Sequence, residues 1–146
     1  MITIDETAPV IVRLSTEIAA PLERVWALHT DIDGWPDWNT HVDRAELDGP
    51  LLPGTSFHWE THGLEITSTI REFVPGERLV WGGPANGIEG VHVWTFEQRE
   101  DRTVVRTEES WSGAPVDAAA DELGRALRDS LESWLAALKS HAERSA

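Results

Sequence analysis

Apolar and polar residues alternate from Val10 to Ile18. This period of two predicts a half-buried β-strand. Pro21 then occupies a favourable first position for a helix, and apolar residues follow it at helical spacing as far as Leu28. Turn and capping residues crowd the next segment, which can therefore form only one more short helix, carrying the tryptophans of residues 35–38. The sequence thus predicts one strand followed by two short helices.

Short apolar segments separated by turn residues fill the chain from His41 to Gly113. The turns lie at Gly49-Pro50, Pro53-Gly54, His62-Gly63, Pro75-Gly76, Gly82-Gly83-Pro84 and residues 99–102. These connections are too short for helical crossovers, so neighbouring strands must run antiparallel. After Pro115, apolar residues recur three, four or seven apart as far as Leu138, which predicts one long amphipathic helix.

All of these elements must share one core, because no repeat, low-complexity run or linker divides the chain. The predicted fold class is α+β. A curved antiparallel sheet is expected to wrap around the long C-terminal helix. We expect a single domain over residues 1–146, with its core at about residues 10–141.

Composition excludes several functional classes. Twelve Lys and Arg face twenty-six Asp and Glu, giving a formal charge of -14, so a nucleic acid would be repelled. The chain has no Cys, which removes disulfides and thiolate sites and fits a reducing compartment. No apolar run approaches the ~20 residues of a membrane helix. The sequence therefore predicts a cytoplasmic protein without membrane insertion.

The order of elements resembles the helix-grip fold of the START-related superfamily (SRPBCC), over about residues 10–141. The resemblance is carried by residues 20–26, 35–39, 53–57, 75–81, 92–96 and 109–113. These segments are most similar to the polyketide cyclase/dehydrase-like branch. The resemblance implies an internal cavity for a hydrophobic small molecule and chemistry that requires no cofactor.

One predicted hairpin brings together two residues that could catalyse proton transfer. A two-residue turn at 100–101 fixes the register of the flanking strands. The resulting pairs are Phe96 with Val105, Trp94 with Thr107, and His92 with Glu109. An imidazole beside a carboxylate on a poorly solvated wall is an arrangement suited to acid/base catalysis. His92 and Glu109 are therefore the candidate catalytic residues, although they could instead satisfy each other or anchor a ligand oxygen.

The same reasoning predicts an apolar wall on the concave face of the sheet. Turns at His62-Gly63 and Pro75-Gly76 place Phe57 opposite Ser68, Trp59 opposite Ile66, and Ile70 opposite Trp81. The candidate ligand-binding residues are Phe57, Trp59, Ile66, Ser68, Ile70, Trp81, Trp94, Phe96, Thr107, Trp111, Leu127 and Leu131. We expect at least one of Leu127 and Leu131 to border an open or ligand-filled cavity, where its replacement by Ala costs less stability than in a closed core. Alternatively, the rings fill a core beneath the helix.

Other motifs do not support a metal or phosphate site. His58, Glu60 and His62 alternate along a strand on the face opposite Phe57, so they are expected to be solvated, and no metal site is predicted. Asp31-x-Asp33-Gly34 lacks the other ligands of a calcium loop, and residues 82–87 lack the Gly-Lys-Ser/Thr of a phosphate loop.

Two functional hypotheses remain open from the sequence. The first is an enzyme in which His92 and Glu109 move protons during ring closure or dehydration of an apolar substrate. The second is a non-catalytic carrier or sensor of a lipid or hydrophobic metabolite. A weaker third possibility, an Hsp90-activator-like interaction module, rests on resemblance alone. The sequence leaves the ligand and the oligomeric state open.

Overall fold

Seven antiparallel strands form one sheet in the computed structural model, which describes residues 1–144. The strands are β1 (Val10–Ile18), β2 (Val42–Leu47), β3 (Ser56–Thr61), β4 (Leu64–Val74), β5 (Arg78–Ala85), β6 (Ile88–Arg99) and β7 (Arg102–Ser112). Their order in the sheet is β1-β7-β6-β5-β4-β3-β2. Apart from the closure of β1 onto β7, each strand pairs with its neighbour in sequence, as expected for a meander with short turns.

The helices are α1 (Leu22–Thr30), α2 (Trp35–Trp38), α3 (Ala114–Ala118) and α4 (Ala120–Arg144), and a 3-10 turn, Ile32–Gly34, precedes α2. The predicted curved sheet, two short helices after the first strand and long C-terminal helix are confirmed. The helix after Pro115 is interrupted, because the backbone at Ala119 leaves helical geometry and separates α3 from α4. Within residues 1–144, no helix has the length and hydropathy needed to cross a bilayer.

The predicted hairpin registers are confirmed. Phe96 pairs with Val105, Trp94 with Thr107, His92 with Glu109, Phe57 with Ser68, and Trp59 with Ile66. Ile70 also pairs with Trp81, but for a reason that the turn residues did not reveal. The turn after Val74 contains three residues rather than two, and a β-bulge at Arg71 restores the pairing.

The buried face of α4 contains the predicted leucines. Leu127 and Leu131 retain 4% and 2% of their exposure and pack in a cluster with Val10, Val12 and Val116. Neither leucine borders an open cavity, because β1 lies directly against this part of the helix. The ligand-filled alternative stays a prediction.

Replacing Leu131 by Ala is expected to lower the free energy of unfolding by about 2–4 kcal/mol, because the substitution leaves a cavity that packed neighbours fill only in part. Urea denaturation measures this loss. Asp129→Ala, an exposed substitution on the same helix, is the control and should change the free energy by less than about 0.5 kcal/mol. A loss of that small size for Leu131→Ala would contradict the packing described here.

The N-terminal segment covers part of the convex face of the sheet. Ile4 retains 4% of its exposure and packs against Val80 and Val93. The backbone N–H of Asp5 donates to Oγ of Ser110 at 3.0 Å, which anchors this segment to β7. The convex face therefore has a small apolar cluster of its own.

Candidate functional site

His92 and Glu109 meet on the concave face of the sheet, where β6 and β7 pair. Nδ1 of His92 lies 3.1 Å from Oε1 of Glu109, and Nε2 of His92 lies 2.8 Å from Oγ1 of Thr107. The indole N–H of Trp111 donates to the other carboxyl oxygen, Oε2 of Glu109, at 2.8 Å. Every polar side-chain atom of the His92–Glu109 pair therefore has a neighbour of matching chemistry.

Burial moves the protonation equilibria of the two groups in opposite directions. The side chains of His92 and Glu109 retain 4% and 15% of their exposure. Burial lowers the pKa of His92 well below its ordinary value of 6.5, and the nearby His29 adds to this effect. Burial raises the pKa of Glu109 from 4.5 to about 7, although the hydrogen bond from Trp111 opposes the rise. A neutral imidazole thus faces a carboxyl group that titrates near neutrality.

The network accommodates a proton in either of two arrangements. When Glu109 is ionised, His92 can carry its proton on Nδ1 and the Thr107 hydroxyl can donate to Nε2. When Glu109 is protonated, its hydroxyl can face Nδ1, and the proton on Nε2 can then point at Thr107. Gain or loss of one proton at Glu109 therefore leaves no polar atom of the imidazole without a neighbour.

Replacing Thr107 by Val should lower the free energy of unfolding by about 1–3 kcal/mol, because it leaves the buried Nε2 of His92 unpaired while keeping the side-chain shape. Urea denaturation at neutral pH measures the change. Thr95→Val makes the same hydroxyl-to-methyl exchange on the opposite face of β6 and serves as the control. Equal effects of the two substitutions would show that the His92–Thr107 contact adds no stability.

Most of the predicted ligand-binding rings lie together in the core. Phe57, Ile70, Trp81, Trp94 and Phe96 each retain 5% or less of their exposure. Trp134 of α4 reaches into this group, and its ring centroid lies 5.7 Å from that of Trp94, 6.3 Å from that of Trp81 and 5.6 Å from that of Trp59. Trp59 is half-buried, and its indole N–H donates to Oγ of Ser68 at 3.2 Å. The rings therefore pack against one another and against the helix.

The remaining predicted ligand-binding residues lie elsewhere. Leu127, Leu131 and Trp111 belong to the cluster on the β1 side of the helix. Ile66 lies half-buried on β4 and lines a groove of about 610 Å³ that opens at the surface beside Pro36. A second open groove, of about 330 Å³, lies between β1 and α4. The candidate residues therefore divide among a central ring cluster, a leucine cluster and a surface groove.

His29 is a central residue that the sequence reasoning missed. It is fully buried on α1, its ring lies 4.1 Å from that of Trp94, and burial lowers its pKa to about 3. Among residues 1–144, neither of its ring nitrogens has a hydrogen-bond partner. The sequence could have indicated its burial, because His29 follows Val25 by four residues and a helix places such residues on the same face.

His58 of β3 lies on the outer face, as predicted, whereas His62 lies in the turn that follows this strand. His58 is exposed, and its ring contacts Oγ1 of Thr67 at 2.9 Å and Oδ2 of Asp48 at 2.6 Å. In the part of the chain that the structure describes, no group of three or more His, Asp or Glu side chains is positioned to hold a metal ion.

Comparison with known proteins adds a family and a set of structural neighbours. The sequence profile of the family described as polyketide cyclase / dehydrase and lipid transport matches residues 9–143. No curated protein matches the chain.

Three solved structures show the same fold. A hypothetical protein from Helicobacter pylori is 23% identical, with 97% of each chain covered and a TM-score of 0.83. A START superfamily protein from Mycobacterium smegmatis is 13% identical, with 93% of this chain and 99% of that chain covered and a TM-score of 0.79. An aromatase/cyclase from a Streptomyces species is 19% identical, with 92% and 93% covered and a TM-score of 0.75.

Proposed function

Because the chain belongs to the polyketide cyclase/dehydrase and lipid transport family, we propose that it binds an apolar, oxygen-bearing small molecule between its sheet and its C-terminal helix. We further propose that it transfers protons during ring closure or dehydration of that molecule. One observation carries the proposal. A carboxyl group with a pKa of about 7, that of Glu109, lies in an apolar wall beside a neutral imidazole.

Glu109 is the group of this pair that would touch the substrate. Its side chain retains more exposure than that of His92, which lies beneath it between Thr107 and the tryptophans. His92 then positions the carboxyl group and takes up the tautomer that each protonation state of Glu109 requires. Of the two predicted catalytic residues, Glu109 has the acid/base role and His92 the positioning role in this proposal.

In the proposed reaction, each proton that Glu109 removes from the substrate is returned to a substrate oxygen, so the enzyme ends in its starting protonation state. Ionised Glu109 removes a proton from the carbon beside one carbonyl, and that carbon forms a bond to the carbon of a second carbonyl. The oxygen of the second carbonyl takes up a proton and becomes a hydroxyl group. Loss of a further C–H proton and departure of the hydroxyl as water give an enone. These steps include no oxidation or reduction, so the proposal includes no cofactor.

A δ-diketone carrying a phenyl ring tests this proposal, because it closes to a phenylcyclohexenone with loss of water and the product absorbs in the ultraviolet. We expect the wild-type protein to accelerate the reaction. Glu108→Gln should retain this activity, since Glu108 lies on the opposite face of β7 and pairs with Arg13. If Glu109→Gln folded normally and kept the full rate, the catalytic role of Glu109 would be excluded.

A carrier or sensor is the second candidate, and one observation favours it. All four polar side-chain atoms of His92 and Glu109 already have neighbours within the protein. Such a satisfied pair can hold the shape of a binding pocket without reacting with the ligand. Native mass spectrometry of freshly purified protein separates the two candidates. A chemically unchanged apolar molecule retained at stoichiometric level, together with no turnover of the diketone, would favour the carrier.

A further inference from the structure

One edge of the sheet carries backbone groups that the protein pairs only in part. Within residues 1–144, β1 pairs with β7 and with no other strand, so its other side is a free edge. Toward the end of β1, the helix α4 supplies partners for this edge. Nζ of Lys139 donates to the carbonyl oxygen of Glu17 at 2.7 Å, and the N–H of Ala19 donates to Oε2 of Glu143 at 2.9 Å. The C-terminal half of the free edge is therefore closed by α4.

The N-terminal half of the same edge lacks such partners. Successive residues of an antiparallel strand direct their backbone N–H and C=O groups to opposite sides. Since Glu17 and Ala19 point away from β7, Ile11 and Arg13 do so as well. Among residues 1–144, no side chain or loop pairs with these backbone groups of Ile11 and Arg13. An uncovered row of this kind is a template for pairing with another chain.

An open groove lies beside this unpaired row. It has a volume of about 330 Å³ and is lined by residues 9–12 of the chain and, on α4, by Ala120, Asp121, Gly124, Arg125 and Arg128. Four residues of a strand span roughly 13 Å, which is the length of three or four residues of an extended peptide. The groove therefore gives an extended segment access to the free backbone groups of β1.

The charged side chains of the groove indicate what kind of segment fits. Arg125 is exposed, and within residues 1–144 it forms no ion pair or hydrogen bond. Arg128 pairs with Glu132 of the same helix at 3.3 Å. Asp121 is the one acidic side chain among the lining residues, so positive charge is in excess here although the whole chain carries a formal charge of -14. An acidic segment is therefore attracted to this groove while the net charge of the protein keeps it from other surfaces.

We propose that the free edge of β1 at Ile11 and Arg13 binds an extended, acidic segment of a partner protein. The segment adds an eighth strand to the sheet, and one of its Asp or Glu side chains pairs with Arg125. In recognition of this kind, backbone hydrogen bonds supply affinity and side-chain contacts supply specificity. The interaction is independent of the proposed function, because Glu109 lies on the concave face, whereas these backbone groups lie at the edge of the sheet.

A phage-displayed library of random heptapeptides, selected on the wild-type protein, tests the proposal. We expect the enriched peptides to carry Asp or Glu between β-branched residues, as an extended acidic segment requires. Amide hydrogen exchange followed by NMR then locates the bound peptide. Binding should slow exchange at Ile11 and Arg13, whose N–H groups face the free edge. No enrichment of acidic peptides, or binding that leaves exchange at both residues unchanged, would overturn the proposal.

Two pairs of variants, measured by fluorescence anisotropy with one labelled peptide from the selection, locate the contacts. Ile11→Pro removes the N–H that faces the partner but no bond to β7, and should weaken binding about 10-fold or more. Ile11→Val keeps this N–H and should bind like the wild type. Arg125→Glu should weaken binding about 5-fold or more, whereas Arg71→Glu reverses an exposed charge outside the groove and should not. Near-ultraviolet circular dichroism checks the folding of each variant.

The second pair decides the question even if Ile11→Pro does not fold, since equal affinities of Arg125→Glu and Arg71→Glu would exclude the groove. Sedimentation velocity without peptide separates a partner protein from a second copy of this chain. We expect the wild type and Ile11→Pro to sediment alike. A wild-type dimer that Ile11→Pro converts to a monomer would show that β1 pairs with a second copy, and the proposed acidic partner would then be wrong.

Discussion

Replacing Glu109 by Gln is expected to slow turnover of the phenyl δ-diketone by about 10²–10⁴-fold, the usual contribution of a positioned acid/base group. The amide keeps the shape of the side chain and can still accept a hydrogen bond from Trp111, but it cannot carry a proton between substrate atoms. Initial rates followed by ultraviolet absorbance at saturating probe measure the effect. Glu108→Gln, the neighbouring substitution on the opposite face of β7, is the matched control.

The pH profile provides a second readout of the same substitution. Burial raises the pKa of Glu109 to about 7, so the ionised base becomes more abundant as the pH rises through that value. When proton removal limits the rate, the wild-type rate should rise across this range and level off above it. The residual rate of Glu109→Gln should show no such step. A step of equal size in both proteins would assign the titration to another group.

Acidification is expected to destabilise the wild-type protein by several kcal/mol through the burial of His29. Burial lowers the pKa of His29 from 6.5 to about 3, so the unfolded chain binds a proton in this range that the folded protein does not. The stability contributed by His29 is therefore complete above pH 6.5 and is lost as the pH falls toward 3. In His29→Leu this part of the pH dependence should disappear.

Urea denaturation at a series of pH values measures this difference. His92 shifts in the same direction and Glu109 in the opposite direction, and both remain in the variant. Because His29 contributes to the lowering of the pKa of His92, the difference between the two proteins measures His29 together with its effect on His92. The exposed substitution His41→Gln should follow the wild-type curve. Parallel curves for wild type and His29→Leu below pH 6 would show that His29 is not buried as described.

Strand register was predictable wherever a short turn fixed it. His62 and Gly63 both have positive φ, 50° and 77°, as a tight two-residue hairpin turn requires, and the pairs on either side of them follow directly. The pairing of Ile70 with Trp81 was predicted from a two-residue turn that the protein does not have. It holds because the bulge at Arg71 offsets the extra turn residue, and neither feature has a clear signature in the sequence.

The interior of the candidate site was less predictable. An aromatic side chain on a concave face suits both a packed core and a cavity wall, so the pattern alone could not show that Trp134 packs among Trp59, Trp81 and Trp94. His29 was missed because a polar residue at a buried helical position breaks the apolar stripe by which such a face is recognised. Ile4 was missed because a single apolar residue outside a strand has no periodicity.

The pairing of the first strand with the last has a consequence for how the chain is synthesised. Val10 lies beside Trp111, about 100 residues later, and no other strand pairs with β1 within residues 1–144. At about 5–20 residues per second, β1 waits roughly 5–20 s for β7 to leave the ribosome. During that time its apolar side has neither a partner strand nor a helix against it. Such long-range pairing is typical of slow folding, so the nascent chain should depend on chaperones more than its size suggests.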